Sequence, residues 1–191
     1  MKAHTAAGKL QGMTGDAIWY EAAHVVGVTN ALNVAADGLA ALPAVTSMLP
    51  PVTEDDPRPE IVTLFAEIRA FYARPEVPAV FRFLARDAGY AADLWGAVRR
   101  AFDDNRLPRR LKEALAFAVS LTTRSPWGSA FHLQEMRRLG VGDGGVMEVI
   151  GVTQMFSSYT KIADTLQLEP DMGDIAPIDD SPAPGGPARS G

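Results

Sequence analysis

A carboxylate and an imidazole held face to face are enough to move a proton. The imidazole takes or gives it near neutral pH, and the carboxylate fixes the ring's tautomer and balances its charge. The 191-residue chain has only three histidines. One of them, His132, shares a stretch with Glu113: LPRRLKEALAFAVSLTTRSPWGSAFHLQEMRRLG, residues 107–140. The same two residues have a second use, as a buried hydrogen-bonded pair that holds two helices together. Residue types alone leave both uses open.

The stretch reads as two helices with a sharp break. Pro108 suits a first helical turn, and Leu111, Leu115, Ala118, Val119 and Thr122 follow at helical spacing as the expected apolar face. A second helix starts where Ser125 caps and Pro126 takes the first helical position, and it ends at Gly140. Arg137 and Arg138 lie in its last turn, where they favour the negative end of the dipole. Glu113 lies about ten residues before the turn and His132 about six after it, so a simple antiparallel hairpin leaves them staggered by about 6 Å. The expectation is that they still meet, at a cavity in the mouth of the hairpin.

Leu107-Pro108-x-x-x-Lys112-Glu113, a short apolar helix, a small turn, and a helix with His132 and Gly140 eight residues apart together resemble the AhpD-like family. This is the alkylhydroperoxidase and carboxymuconolactone decarboxylase group. Its redox members carry Glu, then C-x-x-C twelve positions on, then His four residues after the second Cys. Here those places hold Glu113, Ser125, Gly128 and His132. The resemblance implies an all-α fold of AhpD-like helical repeats, an orthogonally packed helix bundle, with Glu113 and His132 as the site residues. It also implies association through helices, hence a homo-oligomer.

Both cysteines are missing, and the chain has none at all. A thiol at a helix N-terminus is stabilised as the thiolate by unpaired N–H groups and the dipole, and so attacks a peroxide near neutral pH. Ser125 at that place does not ionise usefully, and Gly128 offers no resolving side chain. Ser125 reads as a helix cap.

The net charge of −5 and pI near 5.2 argue against nucleic acid or anionic membrane as main partners. Without cysteine there are no disulfides and no thiolate metal sites. There is no signal peptide, and no apolar run near eighteen residues is free of charge, so a cytoplasmic protein is expected, with no membrane span. No Gly-rich phosphate loop or zinc cluster is present, and no cofactor or metal is expected.

The start of the chain repeats the order of its centre. His4 and Gly12 are spaced as His132 and Gly140 are, and Gly27-Val28-Thr29 answers Gly151-Val152-Thr153. By the resemblance, His4 falls where the His after the second cysteine belongs. Residues 1–43 therefore read as the C-terminal half of a first repeat, 44–59 as a Pro- and acid-rich linker, 60–170 as a complete second repeat, and 171–191 as a disordered tail. Within the first unit, Asp16 to Leu42 is expected to be helical with Ile18, Ala22, Val25, Val26, Thr29, Leu32, Asn33 and Ala36 as its stripe, and His24 at the rim.

In the second unit Asp56 is expected to cap a helix that Pro57 starts, with Ile61, Leu64, Phe65, Ile68 and Phe71 inward. Val80, Phe81 and Leu84 mark a short helix. Tyr90, Leu94, Trp95, Val98 and Phe102 give the next face, with Trp95 in the core. Arg99, Arg100, Arg106, Arg109, Arg110 and Lys112 form a basic cluster, read as a solvated face or as an attraction for an anionic substrate. From Gly144 to Leu166 a last helix is expected to pack across the hairpin, with Tyr159 or Gln154 reaching its cavity, and with Met136, Met147 and Met155 as core filler.

Two functions compete. One is an antioxidant or decarboxylase-type enzyme acting on a small molecule through a Glu113–His132 proton relay, although the decarboxylase branch typically has an acidic residue where Gly128 stands. The other is a non-catalytic structural or regulatory repeat of a larger two-repeat protein. A weaker likeness of residues 60–102 to helical 2-haloacid dehalogenases is a minor alternative, without an assignable catalytic Asp. In either case the chain is expected to show no dithiol-dependent hydroperoxide reduction, and a thiol-blocking reagent should leave any activity unchanged. Reduction of a hydroperoxide at the expense of a dithiol, above a metal-free control, would disprove this.

Overall fold

A computed structural model of the protein describes residues 15–39 and 49–168, together with Gly8. His4, Gly12, Pro43 and the 171–191 tail lie outside the described residues. Among those described there are seven α-helices and no strand: α1 (Asp16–Gly38), α2 (Pro59–Tyr72), α3 (Ala79–Leu84), α4 (Ala88–Phe102), α5 (Arg109–Thr123), α6 (Pro126–Arg138) and α7 (Asp143–Leu166). The fold is an all-α helical bundle, and none of these helices is long and apolar enough to cross a membrane.

α5 and α6 form the central hairpin, and α1 lies against both of them and against α3 and α4. Arg124 makes the break between α5 and α6 in the left-handed region, at φ 57. Its strain is offset by closing bonds: Arg124 N–H donates to the Leu121 carbonyl, and Ser125 N–H to that of Ser120. Ser125 then caps α6, its hydroxyl accepting the Gly128 N–H at 3.0 Å. The core joins Val25, Leu32 and Ala36 of α1 to Ile61, Phe65, Ile68 and Tyr72 of α2, Phe81 of α3, and Trp95, Val98 and Phe102 of α4. Its aromatic centre is edge-to-face, with Tyr72 against Phe131 at 5.1 Å and Phe81 against Trp95 at 5.5 Å.

Several expectations shift. α2 starts at Pro59 with Arg58 as its cap residue, and Asp56 instead accepts the Arg58 N–H and binds its guanidinium. Tyr72 is buried where Phe71 was expected to be, and Tyr90 and Val26 are exposed. His24 is exposed, at the rim. The 49–58 part of the linker is tied down, with Val52 N–H on the Arg82 carbonyl and Glu54 accepting the Val77 N–H and binding Arg69.

The larger corrections concern α5 and α7. The buried face of α5 is Lys112, Glu113, Ala116, Phe117 and Ser120, whereas Leu111 and Thr122 are exposed and Leu115, Ala118 and Val119 only half-buried. The helix thus turns its charged and small residues inward. α7 packs on α5 through Val146, its sole buried residue, with Val149 and Ile150 partly covered. Val152, Phe156, Tyr159, Ile162 and Leu166 are each more than half exposed, as is Met147. Tyr159 and Gln154 therefore face outward and reach no cavity by the hairpin, and Met136 alone of the three methionines is core filler.

Lys112 corrects the solvated-face reading of the basic cluster, because it is fully buried. Its ammonium meets the Glu21 carboxylate of α1 and donates to the Asp103 carbonyl. Burial pushes the Glu21 carboxyl up, but the Lys112 hydrogen bond and charge and the Leu107 and Arg106 N–H groups outweigh it. Its pKa therefore lies below the ordinary 4.5. A depressed folded pKa contributes stability above pH 4.5 that is lost as pH falls through the folded value. Lys112→Met is expected to destabilise the fold by roughly 3 kcal/mol, because it leaves a largely buried carboxylate unpaired. Denaturant titrations across pH should also show the acid-side loss of stability flattened in the variant.

Candidate functional site

Glu113 and His132 meet. His132 Nδ1 lies 2.8 Å from Glu113 Oε2, and both side chains are 1% exposed. The 6 Å stagger expected of a simple antiparallel hairpin does not keep the two side chains apart. A carboxylate only accepts, so Nδ1 carries the shared proton; in the neutral Nδ1–H tautomer the ring presents a lone pair at Nε2. Phe102 stacks on the ring at 5.8 Å, and Phe131 lies edge-on at 5.3 Å. Nε2 has no hydrogen-bond partner.

The pair is one end of a longer buried line of charge. Arg109, one turn before Glu113, donates from Nε to Glu113 Oε1 at 3.5 Å and from Nη2 to Glu135 Oε2 at 3.4 Å. Its Nη1 donates to the Phe71 carbonyl, and its guanidinium lies 3.9 Å above the Phe71 ring. Glu135 is fully buried. Its Oε1 accepts two bonds from Arg74, at 2.8 and 3.1 Å, and its Oε2 accepts two from Arg138, at 2.7 and 2.9 Å. Such bidentate forks make it tolerable to bury a carboxylate. Tyr72 lies fully buried beside this line; burial, reinforced by the Glu113 charge, holds its hydroxyl well above the ordinary 10.0.

Glu135 and Arg74 belong to the site although the sequence did not single them out, and Arg138, expected only to favour the helix dipole, joins them. Glu135 lies three residues after His132 and Arg138 three after Glu135, so both share its side of α6; that spacing was the available signal. Arg74 arrives from beyond the end of α2, and nothing local to it announces the contact.

One hollow of about 390 Å³ lies over Phe71 and Trp95 between α2 and α4, and another of about 370 Å³ runs along α1, α5 and α7. Neither Glu113 nor His132 lines them. At the former thiol positions the space is filled. A Cβ on Gly128 would come 2.5 Å from Ser120 Oγ and 2.8 Å from Asn33 Cγ, overlapping the Asn33 side-chain carbonyl as well. Asn33 is held there by bonds from its amide to Ser120 Oγ, 3.1 Å, and Thr123 Oγ1, 3.3 Å.

Gly128→Ala should therefore cost about 2 kcal/mol by overpacking. Asn33→Gly combined with it should recover part of that loss, because the two side chains compete for one volume. Equilibrium unfolding of the two single variants and the double checks this; additive losses would show that Asn33 is not the obstacle.

No curated protein matches the chain. Residues 88–168 match the carboxymuconolactone decarboxylase family, a span that holds the hairpin and both site residues. The fold is similar to that of the alkylhydroperoxidase AhpD core from Rhodospirillum rubrum. The TM-score is 0.63 at 20% identity, over 66% of this chain and 96% of that one. Residues 88–168 are thus similar to the carboxymuconolactone decarboxylase family and the fold to that of the AhpD core, in a chain that contains no cysteine.

Proposed function

We propose that this chain is a closed, thiol-free AhpD-like module that works through assembly rather than catalysis, as a structural or regulatory unit. The observation that carries this is the packed site: Asn33 and Ser120 occupy the space beside Gly128, and Glu113 and His132 are each 1% exposed. A buried hydrogen-bonded pair inside a line of ion pairs fixes the hairpin without needing a substrate. Residues 1–43 as the second half of a first repeat remain part of this proposal.

The partner in assembly is a second copy of the chain. Val152, Phe156, Tyr159, Ile162 and Leu166 recur at three- and four-residue steps along α7, which is about 36 Å long. Val152 and Phe156 line the α1/α5/α7 groove together with Leu115, Ala118, Val119 and Val26. An exposed apolar stripe of this extent exceeds what a monomer usually leaves in water.

A second reading keeps the enzyme. His132 Nε2 is a base without a protein partner, as a decarboxylase-type proton relay on a small molecule would require. The two separate by experiment. Under the first, light scattering shows a concentration-dependent oligomer that Val152→Glu with Ile162→Glu reduces to monomer, while assays with hydroperoxides and small β-keto or lactone acids stay blank. A monodisperse monomer at every concentration sinks the assembly reading. An activity lost in a normally folded His132→Ala variant establishes the relay instead.

A further inference from the structure

Two buried polar atoms close to the hairpin lack a hydrogen-bond partner, His132 Nε2 and Thr29 Oγ1. Thr29 is fully buried and His132 1% exposed. Buried polar groups are nearly always paired, so two such orphans in one layer call for a common explanation.

The helix registers supply it. Glu21 meets Lys112 near one end of α1, and Asn33 meets Ser120 towards the other, so α1 runs parallel to α5. Within the hairpin Glu113 meets His132 while Ser120 lies against Gly128 nearer the turn, so α6 runs antiparallel to both. Asn33 abuts Gly128. Four residues back along α1 is Thr29, and four residues forward along α6 is His132, each a turn further in the same direction and on the same face. With Nδ1 turned to Glu113 on α5, Nε2 points away from it. The other orphaned nitrogens do not compete: Trp19 Nε1 lies more than two turns before Thr29, and Arg82 Nε belongs to α3.

We propose that Thr29 is the missing partner of His132, joined to it through one enclosed water: the hydroxyl donates to the water, and the water donates to Nε2. Thr29, His132 and Glu113 then form a hydroxyl–imidazole–carboxylate line across α1, α6 and α5. Thr29 is a positioning residue in it, holding the ring in the Nδ1–H tautomer from the side opposite Glu113. The inference deepens the closed-site reading and rests on it, because an Nε2 satisfied from within has no lone pair to offer a substrate.

The test is nitrogen NMR of ¹⁵N-histidine-labelled full chain, as wild type, Thr29→Val and Thr29→Ser. In the wild type the His132 Nε2 resonance is expected to be displaced from that of an unbonded imidazole nitrogen. Thr29→Val should return it to the unbonded position while Nδ1 stays in place, and Thr29→Ser should keep the wild-type shift. An unbonded Nε2 in the wild type overturns the proposal without any variant. So does an Nε2 shift unchanged by Thr29→Val, or by Thr29→Ala should the valine variant misfold. The closed-site reading is read separately, by diethyl pyrocarbonate labelling followed by peptide mass spectrometry. His24 should be modified and His132 spared; fast modification of wild-type His132 would sink that reading whatever the Thr29 spectra show.

Discussion

Two carboxylates are buried on the facing sides of one helical hairpin, and much of the bundle is arranged to make that possible. An unpaired buried charge is costly by several kcal/mol, so Glu113 and Glu135 each demand donors. α6 supplies His132 and Arg138, α5 supplies Arg109, and the end of α2 brings Arg74 and the Phe71 carbonyl that anchors Arg109. On the other side of α5, Lys112 makes the reciprocal demand, met by Glu21 of α1 and the Asp103 carbonyl. The hairpin thus draws helices from both sides of the bundle by charge as well as by apolar packing.

Turning the charged face of α5 inward has a cost on the outside. Leu111, Leu115, Ala118 and Val119 are left at the surface, and α7 covers them only with its first half. In the second half of α7, Tyr159, Ile162 and Leu166 are more than half exposed. The buried polar face of α5 and its half-exposed apolar one are thus the two sides of the same helix.

The missing thiols have left a packed site. Ser125 keeps the capping role that any N-terminal position of α6 needs, its hydroxyl on the Gly128 N–H. At Gly128 the absence of a side chain lets Asn33 and Ser120 close in and lets α5 and α6 approach. Returning a cysteine there would require moving Asn33, whose amide is bonded to Ser120 and Thr123. A side chain at position 128 and the docking of α1 thus compete for one volume.

What the sequence determined by itself is what local physics controls. The α5–α6 break, the Ser125 cap, the apolar faces of α2 and α4 and the pairing of Glu113 with His132 were legible, because caps, prolines and helical spacing act over a few residues, and the family pattern joined the last two. The inward face of α5 was not legible. Spacing marked Leu111, Leu115 and Val119 as the core stripe, since a sequence pattern scores apolar side chains and cannot see partners for buried charges. Lys112 and Arg109 read as solvated for the same reason; their partners, Glu21, Asp103 and Glu135, lie 91, 9 and 26 residues away or on another helix. What lies against Gly128 depended on how α1 docks, and only the tertiary structure decided that it is Asn33. Long-range packing sets which face of a helix is inside, and no local rule carries that information.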